Sequence, residues 1–249
     1  EKIRAICWKE IAMVFQEPMT SFGPMHTFGN QICEVLTLHK KMSMADAMQM
    51  AIESLHSVGM PRPEKVVKQY PHQISGGQRQ RAMIAMALIC NPEMLIADEP
   101  TTALDVSTEA QILEVLAERQ KTLNTSILYI SHNLGVVANI ADEVMVMYLG
   151  KIVEYAPVAD LFTSPKHPYT VALLNSIPKI DKEYKGQKLE VLVGNIPDPY
   201  NHPAGCKFHP RCPKSMKGIC DVTEPVQQTI TENWQVACHL FTSSIKSCQ

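Results

Sequence analysis

The sequence contains no run approaching the roughly 18 to 20 consecutive apolar residues that a membrane-crossing helix needs, although 45% of its 249 residues are hydrophobic. No transmembrane helix is expected. It is also short of net charge: 23 Lys and Arg against 25 Asp and Glu leave −2. That gives no basic footprint for a phosphate backbone, so nucleic acid is not an expected partner. Residues 1–25 lack the basic end, apolar run and cleavage pattern of a secretory leader. The remaining composition, with 19% charged residues, suits one large globular domain plus an appendage. Any place at a membrane would then come through protein contacts.

What is present is ordered along the chain. Ser75-Gly76-Gly77-Gln78 opens a helical run that includes Gln80 and continues through 82–90. A serine and free backbone N–H groups at a helix start, aided by the helix dipole, favour an anion. The apolar run 94–97 reads as a buried strand that delivers Asp98 and Glu99 to its carboxyl edge, where ligands of parallel sheets sit. One carboxylate there can hold magnesium and the other can polarise a water. Each motif alone is a common turn or a common strand end. Three further elements follow the same order: Gln16 after the apolar segment 11–15, Asp105 just past the acidic pair, and His132 after the strand-like 126–131.

Together these residues resemble the ATP-binding subunits of ABC transporters. Gln16 resembles the Q-loop, Ser75 to Gln78 the signature, Asp98 and Glu99 the Walker B aspartate and catalytic glutamate, Asp105 the D-loop and His132 the switch histidine. The phrases Ala97-Asp98-Glu99-Pro100-Thr101-Thr102-Ala103-Leu104-Asp105-Val106 and Tyr70-Pro71-His72-Gln73 are similar to the oligopeptide/dipeptide branch. Ile74 departs from the Leu or Phe usual there but keeps an apolar anchor. The implied fold is α/β, a P-loop NTPase-like core with a parallel sheet and a helical subdomain.

One element of the resemblance is missing. None of the 11 glycines forms a Gly-x-x-x-x-Gly-Lys-Ser/Thr loop, the backbone cradle for phosphates. The family places that loop well before the glutamine, whereas Gln16 lies close to Glu1, itself in the charged stretch Glu1-Lys2-Ile3-Arg4. The expectation is a core that lacks its N-terminal part and, without the phosphate loop, is inactive by itself.

The organisation follows the motifs. Residues 1–155 are expected to form the partial nucleotide-binding domain, with 18–90 as an all-helical insert, and 156–249 a loop-rich extension. Ser43 caps a helix with Met44, Met48, Ala51, Ile52, Leu55 and Val58 at helical spacing, closed by Gly59-Met60-Pro61. Ser107 is expected to cap another, carrying Ala110, Leu113, Leu116 and Ala117 toward a core. Residues 127–130 read as a strand, and 143–148 and 151–154, with Gly150 between them, as the last strands of the motor, which ends near Tyr155.

The resemblance implies two ATPase subunits meeting head to tail, so that each nucleotide site is shared. Gln16, Asp98, Glu99 and His132 would act on nucleotide bound to this subunit, with ATP and Mg2+ as cofactors and Asp98 and Gln16 toward the magnesium. Ser75, Gly77 and Gln78 would act on the partner's nucleotide, with Gly76 and Asp105 counted beside them among the nucleotide-binding residues. It implies further partners: two transmembrane permeases, met through the segment 17–24 with exposed apolar side chains, and indirectly a substrate-binding protein. The subunit would then lie peripherally on the cytoplasmic face of the inner membrane and drive peptide uptake. The alternatives are a non-hydrolysing module that completes a partner's site, and an importer of nickel or another small solute.

The tail is rich in proline, and Cys206, Cys212, Cys220 and Cys238 cluster there, while Cys7, Cys33 and Cys90 are scattered and Cys248 is near the terminus. Disulfides are disfavoured without an export signal. A structural zinc, an iron-sulfur cluster and no metal at all remain open, because the spacing lacks paired C-x-x-C units yet four thiolates suit soft metals. The segment 205–213 resembles the C-terminal extension of this transporter branch, whose members carry a 4Fe-4S cluster. His209 and His239 are neighbours better placed to support ligands than to be ligands.

Overall fold

The computed structural model describes residues 6–17, 21–102, 104–177, 194–198 and 200–242. The chain divides into two compact units, at Asn133 and Leu134. Tyr155, the expected motor boundary, lies inside the second unit in the strand Lys151–Pro157.

The first unit is built on a parallel sheet of three strands, β1 (Ile11–Val14), β2 (Met94–Asp98) and β3 (Ser126–Ile130), in the order β1-β2-β3. Val14 pairs with Ala97, and Asp98 with Ile130. Parallel strands need crossovers, and the helices supply them. Between β1 and β2 every regular element among the described residues is helical: α1 (Phe28–Lys40), α2 (Met44–Ser57), α3 (Pro63–Val66), a 3-10 turn at Pro71–Gln73 and α4 (Gly76–Leu88). One core runs through them, with Phe28, Ile32, Leu36, Ala51, Leu55, Met83, Ile84 and Leu95 fully enclosed. Gly29 permits the closest approach: its N–H donates to the Val67 carbonyl at 2.9 Å, and a Cβ there would lie 2.7 Å from that oxygen.

Ser43 caps α2 as its sequence suggests, its hydroxyl accepting from the Asp46 N–H. The buried stripe of α2 is Ala47, Ala51 and Leu55, while Met44 stays exposed. Helix α5 (Val106–Leu123) differs from expectation at its start, because Asp105 and not Ser107 is the cap. A carboxylate is a stronger acceptor at the positive end of a helix than a hydroxyl, and beginning at Val106 turns Thr108, Ile112 and Leu116 inward instead of Ala110, Leu113 and Ala117.

The second unit begins with α6 (Leu134–Ile140) and carries an antiparallel sheet in the order β4-β5-β7-β6. Its strands are β4 (Glu143–Tyr148), β5 (Lys151–Pro157), β6 (Gln228–Thr231) and β7 (Trp234–Val236). Leu149 and Gly150 both take positive φ, 45° and 75°, the two-residue turn that folds one strand straight back on another. The two strands expected to be the last of the motor core therefore form an antiparallel hairpin, and β5 pairs on its other side with β7 of the tail. Helices α7 (Val158–Thr163) and α8 (Pro168–Asn175) follow β5. The small core gathers Tyr148, Val153, Leu161, Phe208 and Trp234. Glu154, fully buried, accepts the Lys166 and His167 N–H groups at 2.8 and 2.9 Å and the Trp234 indole at 3.0 Å. Three donors compensate the desolvation of one carboxylate.

Candidate active site

Three adjacent parallel strands each release a polar side chain just past their carboxyl ends: Gln16 after β1, Glu99 after β2 and His132 after β3. Parallel register brings those ends level, so the three side chains meet. Gln16 Nε2 donates to Glu99 Oε2 at 3.0 Å, and His132 Nδ1 lies 2.9 Å from Glu99 Oε1. An ionised carboxylate only accepts, so Nδ1 carries the proton in this pair. The imidazole is open to solvent, 73% exposed against 19% for the glutamate side chain. The hydrogen bond from His132, assisted by those from Thr102 and Gln16, holds the Glu99 carboxyl below its ordinary range despite partial burial.

Glu99 is also gripped through its backbone. Its φ is +44°, a left-handed conformation that a non-glycine residue adopts only under constraint. Its N–H donates to the Ile130 carbonyl at 2.9 Å. Its own carbonyl accepts from Gln80 Nε2 at 3.4 Å and from the Thr102 hydroxyl at 3.2 Å. Thr102 donates to Glu99 Oε2 as well, at 3.0 Å. Asp98, the last residue of β2, is half-buried beside it.

A second group surrounds a cavity of about 580 Å³ lined by Ser75, Gly77, Gln78, Arg81, Asp105 and Thr108 among others. Ser75 is the N-cap of α4: its Oγ accepts the Gln78 N–H at 3.3 Å, and Gln78 Oε1 accepts the Ser75 N–H at 3.1 Å. The serine oxygen therefore turns back onto its own helix instead of pointing wholly outward, leaving the hydroxyl proton for donation. Above Gly76 the space is open. Asp105 accepts from the Thr108 N–H at 3.0 Å and its hydroxyl at 2.8 Å, and the backbone bond first, then the hydroxyl, lowers its carboxyl pKa.

The fold thus sorts the predicted residues into two sets. Gln16, Asp98, Glu99 and His132 share the sheet edge, while Ser75, Gly76, Gly77, Gln78 and Asp105 gather at the start of α4 and α5. Ala103, within the matching phrase, lies outside the described residues, as do Pro18, Met19 and Thr20 of the segment 17–24. That segment was expected to expose apolar side chains, but Phe22 is buried edge-on against Phe28 with ring centroids 4.7 Å apart. Sequence reading missed Thr102, Gln80, Arg81 and Thr108. Gln80 left a trace, as a polar side chain inside the otherwise apolar stripe of α4.

In the tail the Cys206 N–H donates to the Cys220 carbonyl at 2.8 Å, and Gly205, with φ +61°, leaves no room for a side chain against that same carbonyl. The described cysteines are free thiols; Cys248 lies outside the described residues. Burial pushes the thiols of Cys206 and Cys212 up, and that of Cys238 to about 11, with the neighbouring tail thiols adding to the rise. The Cys220 sulfur accepts the Met216 N–H at 3.4 Å, and backbone N–H groups of Phe208, Lys214 and Leu240 reach the sulfurs of Cys206, Cys212 and Cys238. His209 and His239 engage the carbonyls of Cys206 and Thr223 at 2.9 and 2.8 Å. The expected four-ligand centre is not preassembled: among the described residues no three His, Cys, Asp or Glu side chains converge on one metal position.

Comparison with known proteins follows these two regions. Residues 2–102 match the family model described as ABC transporter, and 153–220 that described as oligopeptide/dipeptide transporter, C-terminal region. The oligopeptide transport ATP-binding protein AppD of Bacillus subtilis is 53% identical over 93% of this chain and 70% of its own length. OppD of Salmonella typhimurium is 49% identical over 88% of this chain and 64% of its own length. The dipeptide transport ATP-binding protein DppD of Bacillus subtilis is 48% identical over 96% and 71%. The chain therefore spans about two thirds of the length of these relatives. Among solved structures, the dimeric post-hydrolysis state of the ATP-binding cassette MJ0796 with ADP and Pi superposes with a TM-score of 0.58 at 25% identity, covering 63% of this chain and 66% of that one.

Proposed function

The chain belongs to the oligopeptide and dipeptide transport ATP-binding proteins of the ABC transporter family, and from that premise we propose that it is a motor subunit coupling ATP hydrolysis to peptide uptake. The observation that carries this reading is the meeting of Gln16, Glu99 and His132 at the carboxyl ends of three neighbouring strands. Glu99, kept ionised, is the general base that orients and deprotonates the attacking water. His132 contacts the terminal phosphate. Asp98 and Gln16 fit a hard cation: Gln16 gives its amide N–H to Glu99 and so retains its carbonyl oxygen, and Asp98 adds a carboxylate. Magnesium bound there would neutralise phosphate charge. Ser75, Gly77, Gln78 and Asp105, on the cavity, serve nucleotide held by a second ATPase subunit.

Permeases and a substrate-binding protein complete the proposed assembly, placed at the cytoplasmic face of the membrane. Among the described residues no helix is long and apolar enough to cross a bilayer, and attachment through contacts with the permeases is part of the proposal. In the tail, Cys206, Cys212, Cys220 and Cys238 are proposed as holders of a 4Fe-4S cluster, with zinc as the alternative. Four soft thiol donors, each with a backbone N–H beside its sulfur, favour that reading by their chemistry, and the metal itself would have to draw the sulfurs to one point. Such a group would supply folding energy to a loop-built segment.

The test is turnover by the subunit at its natural length with its ATPase partner. Glu99→Gln should leave nucleotide binding intact and slow hydrolysis by roughly 100-fold or more; a mild effect refutes the role. Iron and zinc analysis of anaerobically purified protein decides the tail, with neither metal removing both readings.

A further inference from the structure

Arg81 sits on the second turn of α4 and joins three elements. Its Nη2 donates to Thr108 Oγ1 at 2.6 Å, at the start of α5, and its Nη1 donates to the Gly59 carbonyl just past α2. The Thr108 hydroxyl, with its oxygen receiving the guanidinium, sends its own proton to Asp105 Oδ2 at 2.8 Å, while the Thr108 N–H goes to Oδ1 at 3.0 Å. A cation is thereby relayed through one hydroxyl to a carboxylate. Gly59 has φ +70°, and a Cβ there would lie 3.0 Å from Arg81 Nη1. That position accepts the guanidinium because it has no side chain. Gly59, Arg81, Asp105 and Thr108 all line the same 580 Å³ cavity as Ser75, Gly77 and Gln78.

We propose that Arg81 is a positioning residue that holds Asp105, through Thr108, at a fixed place opposite the Ser75 helix start, and so governs turnover at the partner subunit's nucleotide site. The proposal rests on the ATPase reading above. Geometry favours arginine specifically. Two donors of one planar fork serve a carbonyl and a hydroxyl at once, which a lysine ammonium cannot reproduce at the same positions. Because the groups it orients meet nucleotide held by another chain, the effect belongs to catalysis in the partner and not to this subunit's own site. Orientation errors of about 1 Å cost up to about 100-fold in rate.

The experiment uses the natural-length subunit assembled with its ATPase partner, with Glu99→Gln in this subunit so that the remaining turnover reports the partner's site. Arg81→Lys and Thr108→Val should each lower that kcat between about tenfold and 100-fold, with KM for ATP changed less than about twofold. The double variant should be no slower than Arg81→Lys alone, since both changes cut one relay. Gly59→Ala should act like Arg81→Lys. Unchanged partner-site kcat in Arg81→Lys, or fully additive losses in the double variant, overturns the proposal. A loss of kcat that tracks a loss of melting temperature across the variants also overturns it, leaving only a structural staple. If Glu99→Gln in both subunits leaves turnover intact, the ATPase reading fails first, and this proposal with it.

Discussion

His132 Nδ1 and Glu99 Oε1 lie 2.9 Å apart, joining the ends of β3 and β2. The pair fixes both the orientation and the ionisation of the glutamate, since the histidine hydrogen bond is the largest influence lowering its pKa. A general base of this kind loses activity when protonated, on the acid side of its pKa.

The first prediction concerns that acid limb. In the wild type, turnover should persist to pH values below the ordinary carboxyl range near 4.5, as long as the fold survives. His132→Ala removes the main stabiliser of the charged form, so the acid limb of kcat should move upward in pH. Measuring kcat against pH for both proteins checks the sign; a limb that stays in place or moves down rejects His132 as the source of the depression.

Gln80 supplies the second. It is fully buried, and its Nε2 donates to the carbonyl of Glu99, whose backbone holds a left-handed φ. Gln80→Met keeps the volume but removes the donor, so it should lower kcat by about tenfold, in line with a small misplacement of the base. Gln80→Glu should be slow at neutral pH and recover toward acid, where a protonated carboxyl donates again. Equal kcat in Gln80→Met and wild type would show that the strand end holds Glu99 without help.

The third prediction is chemical. Cys7 is exposed, whereas burial raises the Cys238 thiol to about 11, leaving little thiolate to react. In metal-free protein at pH 8, iodoacetamide should label Cys7 first and Cys238 last, by about 100-fold or more in rate. Peptide mass mapping over time reads the order. With a soft metal bound, all four tail thiols should be protected together while Cys7 still reacts; protection of Cys238 alone would count against a shared centre.

Much of the site was legible because the chemistry sits at fixed offsets from strand ends: apolar 94–97 announces Asp98 and Glu99, and 126–131 announces His132. The helix starts at Ser43 and Ser75 were readable for the same local reason. What escaped depends on contacts distant in sequence. Nothing near Arg81 points to Thr108, and the turn at Leu149 and Gly150 looks like a simple break until β7 supplies the other neighbour of β5. Asp105 and Ser107 both suit a cap by residue type, and the stronger carboxylate acceptor together with the inward packing of Ile112 and Leu116 goes with Asp105.

The last prediction follows from His167, 1% exposed, with its pKa lowered by burial to about 4. Its Nδ1 accepts the Tyr169 N–H at 3.1 Å as the cap of α8, so the folded protein needs the neutral ring. An unfolded histidine takes a proton near 6.5. The stabilising effect is therefore complete above about pH 6.5 and is lost as pH falls toward 4, where the folded form also protonates. At about 1.4 kcal/mol per pH unit for one proton, the loss across that window reaches about 3 kcal/mol. Urea unfolding followed by Trp234 fluorescence, in a Trp8→Phe background, should show the midpoint falling between pH 7 and pH 5. His167→Asn retains a side-chain acceptor for the cap and cannot titrate, so its midpoint should be flatter over the same range. If the substitution leaves the slope as steep as in wild type, the acid sensitivity of this unit comes from another group, and His167 serves only as a cap.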